Sequence, residues 1–139
     1  MTTTSTVSSA RSTLDAYFAD LVVGGPFEQY LAPDVTADMV GTDMSFRGRD
    51  EVAGFIRAGH FQMFDSALEI VSMSVDETGR RAATELVFAG RHIGEFAGIP
   101  ATGRDVRVPY SAHYELGDAG ITALRIYGLA QGLISTLTS

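Results

Sequence analysis

The chain of 139 residues has no cysteine and no lysine. The first absence excludes disulfides, thiolate nucleophiles, iron–sulfur clusters and cysteine-based zinc sites. The second excludes Schiff-base chemistry, a pyridoxal phosphate anchor, and the lysine of a phosphate-binding loop or kinase. Positive charge is also scarce: ten dispersed arginines stand against 17 acidic residues, for a net charge of -7. Without a basic face, nucleic acid and anionic membrane surfaces are not expected partners. No stretch approaches the ~18 apolar residues of a membrane span. No apolar run of the kind a secretory signal needs follows the N-terminus, so a cytoplasmic location is expected by default.

What remains for chemistry is carboxylates, three histidines, tyrosines, hydroxyls, arginines and bound water. Nine of the first thirteen residues are Ser or Thr, so residues 1–11 read as a disordered leader. At 45% hydrophobic and 19% charged, residues 12–139 read as one domain able to bury a core. Ser12 and Asp15 resemble a capping box, and Leu14, Tyr17, Phe18, Leu21 and Val22 recur at helical spacing until Gly24-Gly25. Pro26 suits the first turn of a short second helix. A third helix is predicted over about 50–63, with Asp50 and Glu51 at its N-terminus. Strands are predicted at 35–40, 67–75, 81–89, 105–116 and 121–127, with hairpin turns at 76–79 and 117–120. Helices first and a meander afterwards imply an α+β fold, a curved antiparallel sheet wrapped around the helices.

The long strand is the most telling. Val106, Val108, Tyr110, Ala112, Tyr114 and Leu116 fall on every second position, which gives one buried face. Two tyrosines beside one very small residue suit a cavity wall, and a hydrophobic small-molecule pocket follows.

Several local patterns resemble the SnoaL-like polyketide cyclase branch of the nuclear transport factor 2-like superfamily. They are Leu14 to Leu21, Leu31-Ala32-Pro33-Asp34-Val35-Thr36, Phe46-Arg47-Gly48-Arg49-Asp50, the glycine-rich run Gly90 to Arg104, and Leu124-Arg125-Ile126-Tyr127. The most specific is Gly90-x-His92-x-Gly94-Glu95-Phe96-x-Gly98-Ile99-Pro100-x-Thr102-Gly103-Arg104. The resemblance implies a cone-shaped, ketosteroid isomerase-like fold around a hydrophobic pocket, often in a homodimer. It also implies acid–base chemistry without a cofactor: cyclisation, isomerisation, hydration or epoxide opening on an oxygenated hydrophobic molecule such as a polyketide. The alternative is a non-catalytic binding or accessory protein of the same fold, since function transfers poorly with fold.

Proton abstraction beside a carbonyl needs a base near carbon and a donor near the developing oxyanion. Tyr17 matches the donor tyrosine of ketosteroid isomerases, with a core aromatic as the other reading. Met39 aligns with their catalytic aspartate in preference to neighbouring Asp38, which a one-residue shift would place there instead. The acid of the long strand aligns with Ala112. The base is therefore sought among His60, His92, Asp38 and Glu85, with Asp43 and Asp65 as further candidates. His60 borders the apolar stripe of the third helix, where a structural role is preferred; His92 reads as a loop histidine capping backbone groups or as a base at the pocket mouth. Glu85 is a strong base if inward and merely solvated if outward. Phe18, Met39, Tyr110, Ala112, Tyr114 and Tyr127 are expected to bind substrate. His113 and Glu115, with Arg107 and Ser111, belong to the opposite row of the strand, and Pro109 suggests a bulge or edge that would reverse this parity. The three histidines lack paired ligand spacing, so no metal is expected, and the glycine series lacks the setting of a phosphate loop.

Overall fold

The computed structural model describes residues 3–139, with side chains from Val7 onward. Helix α1 (Thr3–Val22) buries Ala10, Leu14, Tyr17, Phe18 and Leu21, a stripe at the spacing of one helical face. It starts nine residues before Ser12, so the expected leader is helical wherever it is described; residues 1–2 lie outside the described residues. Phe27–Tyr30 form a 3-10 turn where a second helix is predicted.

Strand β1 (Leu31–Met39) and the short β2 (Ser45–Arg47) lead into α2 (Arg49–Ala58). Helix α2 runs directly into a π-helical turn, Gly59–Met63, so the predicted helix over 50–63 has the right span but widens in its last five residues. Arg57 of α2 donates to the carbonyls of Gly24 and Gly25, pairs with Glu28, and lies over the Phe27 ring. This fixes α2 against the end of α1.

The remaining strands are β3 (Phe64–Val75), β4 (Arg81–His92), β5 (Asp105–Gly117) and β6 (Gly120–Tyr127), followed by α3 (Leu129–Thr138). They form one open, curved six-stranded sheet in the order β2-β1-β6-β5-β4-β3. Pairing is antiparallel except between β1 and β6, which run parallel, so the sheet is mixed where an antiparallel one is expected. The fold class is α+β.

Alternation along β5 holds without interruption. Val106, Val108, Ala112, Tyr114 and Leu116 are buried and Tyr110 is half-buried, while Arg107 and Pro109 are exposed. Pro109 causes no bulge, because β5 pairs with β6 only from Ser111 onward. On that side the missing N–H has no ladder bond to lose. Two elements are not predicted from the sequence: β2, only three residues long, and the helix α3, whose Leu129, Ala130, Leu133 and Leu137 are buried at helical spacing.

Candidate active site

The concave face of the sheet, α1, α2 with its π-turn, and α3 enclose a cavity of about 70 Å³. Its wall combines Tyr17 and Phe18 of α1, Met39 of β1, Tyr110, Ala112 and Tyr114 of β5, and His60 of the π-turn. Seven of the sequence-predicted site residues thus meet at one place. Phe88, Phe96, Leu129 and Leu133 are among the further apolar lining residues. Neither Phe96, on the loop after β4, nor the α3 leucines were singled out from sequence, although Phe96 lies inside the glycine-rich motif and α3 carries a legible apolar stripe.

The aromatic groups brace one another. The Tyr17 ring meets Phe18, Phe27 and Tyr114 edge-on at centroid distances of 5.2, 5.9 and 6.3 Å. Burial holds the Tyr17 phenol well above its ordinary pKa, and neighbouring Tyr114 and Tyr110 push it further. Burial also raises Tyr110, with Tyr114 adding to it, and raises Tyr114 against the opposing effect of a hydrogen bond with Thr84. All three stay protonated at neutral pH and can donate to an oxygen in the cavity.

Among the described residues His60 is the one imidazole on the wall. Its Nδ1 lies 2.8 Å from the Ser66 hydroxyl, and its ring sits 5.2 Å from that of Phe88. Burial among apolar groups pushes its pKa down to about 4, so the ring is uncharged at neutral pH. The sequence reading counts it among the candidate bases, with a structural role as the other reading; it lies on the cavity wall with Ile56, within the π-turn.

The other predicted bases lie elsewhere. His92 is fully buried but takes no part in the wall. The Thr102 N–H donates to its Nδ1 at 3.1 Å, and its ring packs against Phe64 at 5.0 Å. It therefore ties down the loop it belongs to, as the capping reading has it. Its Nε2 is buried with no hydrogen-bond partner among the described residues. Asp38 alternates with inward Ala37 and Met39 on β1 and accepts from the Ser45 hydroxyl at 2.6 Å on the outer face. Glu85 is exposed on the outer face of β4 and bonds Ser72 at 2.7 Å. Asp43 and Asp65 are exposed. Tyr127 does not line the cavity, contrary to expectation: it is 39% exposed and meets His113 edge-on across the outer face. It shares parity with Arg125, while Leu124 and Ile126 point inward. Among the described residues no carboxylate lines the cavity. Among the described residues no cluster of histidines and carboxylates could hold a metal ion, and no helix is long and apolar enough to cross a membrane.

The sequence profile of the SnoaL-like polyketide cyclases matches residues 19–128, and the chain belongs to that family. None of the curated proteins matches the sequence. Among solved structures, a candidate polyketide cyclase from Xanthomonas campestris pv. campestris is 24% identical, with a TM-score of 0.82 over 95% of this chain and 98% of its own. Another from Pseudomonas putida KT2440 is 23% identical, with a TM-score of 0.79 over 97% of both chains. The epoxide hydrolase/cyclase-like enzyme SalBIII, described as having a role in pyran ring formation in the polyether salinomycin, is 15% identical with a TM-score of 0.74 over 90% and 94%. At these identities the structures establish a shared fold; the profile match supports a cyclase-type function.

Proposed function

We propose that the chain is a cofactor-independent acid–base enzyme acting on an uncharged, hydrophobic, oxygenated small molecule of the polyketide kind. The observation that carries this reading is one uncharged imidazole sharing a cavity wall with three protonated phenols, with no charged side chain in that lining among the described residues. His60 Nε2 would take a proton from carbon next to a carbonyl. The C–H electron pair then forms the C=C bond of an enolate as the carbonyl π pair moves onto oxygen, where Tyr17, Tyr110 or Tyr114 donates a hydrogen bond. Ring closure, isomerisation and epoxide opening of the type named for SalBIII share such a proton transfer.

The cavity is smaller than the roughly 300–1,000 Å³ of drug-sized ligand sites, so substrate entry requires lining side chains to shift. Met39 and Met63 are flexible enough to do so. The second reading, a binding protein that does not transform its ligand, is favoured by the absence of a carboxylate on the wall. Assays with polyketide-like compounds, and with 5-nitrobenzisoxazole as a neutral probe of general-base catalysis, separate the two. His60→Gln should abolish turnover while ligand binding persists, with outer-face Asp38→Asn and Glu85→Gln as controls at the wild-type rate. Unchanged turnover in His60→Gln would refute the assignment. A homodimer is part of the same proposal, supported by apolar Ile70 and Val71 exposed on edge strand β3. Light scattering at micromolar concentration tests it, and a monomer would count against it.

A further inference from the structure

The glycine-rich motif has a use that neither the cavity lining nor the loop explains: two of its glycines touch the segment that carries His60. Gly90 of β4 pairs with Ser66 of β3, and a Cβ at Gly90 would lie 2.3 Å from the Asp65 carbonyl oxygen and 2.8 Å from Ser66 Cα. Backbone atoms cannot yield to such contacts, so only glycine lets β3 lie this close. A Cβ at Gly94 would lie 2.5 Å from the Gln62 carbonyl oxygen, inside the π-turn. The N–H groups of Ile93 and Gly94 both donate to the Met63 carbonyl, at 2.9 and 3.0 Å. The π-turn is therefore clamped at its end by the motif backbone, and Ser66 is set at a fixed depth beneath it. π-Turns interrupt helices often at functional sites, because the extra residue redirects a side chain.

His60 receives one hydrogen bond from this scaffold, between Nδ1 and Ser66 Oγ, and no described residue bonds its Nε2. Its ring neighbours, Phe88 and Phe61, are apolar and impose no tautomer. The half-buried Ser66 can turn its own hydrogen to solvent and accept from Nδ1–H.

We propose that Ser66 is the positioning residue for His60: it accepts the Nδ1 proton, locks the ring in the tautomer with a bare Nε2, and holds that lone pair toward the cavity, with Gly90 and Gly94 fixing the distance. This rests on His60 as the base, and it extends that reading to the group that sets the base's tautomer and aim.

The experiment combines nitrogen NMR of the histidines in the full chain with turnover of 5-nitrobenzisoxazole. Removal of its one acidic C–H proton by Nε2 breaks the ring N–O bond and releases a coloured cyanophenolate. In the wild type, His60 should show protonated Nδ1 and bare Nε2. Ser66→Ala should mix the tautomers and lower kcat about 10- to 100-fold with little change in KM, and Ser66→Thr, which keeps the hydroxyl, should restore both. A wild-type His60 protonated on Nε2, or identical tautomer signals in Ser66→Ala, would overturn the proposal. The NMR readout needs no substrate, so it judges Ser66 even if His60→Gln keeps its activity and the base assignment falls. Conversely, loss of activity in His60→Gln with wild-type signals and rate in Ser66→Ala would leave the base standing and remove its positioning residue.

Discussion

Met39 and Ala112 occupy one rung of the sheet, each paired with Ile126 from opposite sides. The sequence reading matches them to the catalytic acids of ketosteroid isomerases, and both are buried. A single cross-section of the wall therefore carries a thioether and a methyl group where the resemblance points to carboxylates. Met39→Asp places a carboxylate there, without a described partner. Its pKa in the folded protein should rise above the ordinary value, because burial disfavours the charged form. Stability should fall by about 2–4 kcal/mol at neutral pH. A raised carboxyl pKa costs stability as pH rises through the unfolded value, so the loss should shrink toward pH 4. Urea unfolding at pH 7 and pH 4.5, each against the wild type, measures this; a loss independent of pH would mean that the aspartate has swung out to water.

His60 makes an opposite prediction. Its folded pKa of about 4 lies below the ordinary 6.5, so between these values the unfolded chain binds a proton that the folded protein excludes. The contribution is fully present above pH 6.5 and is lost as pH falls through about 4. At the acid end the difference amounts to roughly 3 kcal/mol at most. His60→Gln should flatten this part of the stability profile, as seen in urea midpoints across pH 4–7. The same depression places the acid limb of kcat/KM near pH 4; a limb near 6.5 would point to a different base.

The phenols differ from the imidazole in never ionising in the working range. The pH–rate profile should therefore show no basic limb below pH 10 from Tyr17, Tyr110 or Tyr114. Removing the hydroxyl that contacts the oxyanion costs a preorganised donor, typically about 10²-fold in kcat. Tyr17→Phe is expected to show this loss with a melting temperature close to the wild type, since the ring contacts with Phe18, Phe27 and Tyr114 remain. An unchanged kcat would return Tyr17 to the role of a core aromatic.

The parity of β5 was legible because its alternation is unbroken, and it correctly placed Tyr110, Ala112 and Tyr114 on the cavity wall. Likewise Met39 over Asp38 follows from strand periodicity on β1, despite the register shift between Leu31 and Thr36. Tyr127 misled because β6 is short and its apolar residues are consecutive; only pairing with β5 reveals that Leu124 and Ile126 take the inner face. His60 was legible as a cavity neighbour from its place one helical turn after Ile56, but the π-turn that carries it left no mark in the pattern. Ser66 and Gly90 act together through strand register across 24 positions of sequence, which no local pattern records. Helix α3 was missed for another reason: its stripe of Leu129, Ala130, Leu133 and Leu137 was legible, but the meander before it drew the reading to strands.

That helix supplies a test in which two effects oppose each other. Gly132 lies within α3, where alanine is ordinarily favoured over glycine by about 1 kcal/mol. In this position a Cβ would come 2.4 Å from Val108 Cγ1 of β5, and 3.5 Å from Cγ2. Valine is stiff about χ1, so it has little freedom to swing clear. Overpacking of this kind costs about 1–3 kcal/mol, enough to reverse the sign of the helix preference. Gly132→Ala should therefore destabilise the protein and loosen α3, which carries Leu129 and Leu133 to the cavity. In a Val108→Ala background the contact is gone, and the same substitution should become stabilising by roughly 0.5–1 kcal/mol. A double-mutant cycle by urea unfolding reads the coupling directly. If Gly132→Ala stabilises both backgrounds equally, α3 does not rest on Val108, and the cavity is not closed from that side.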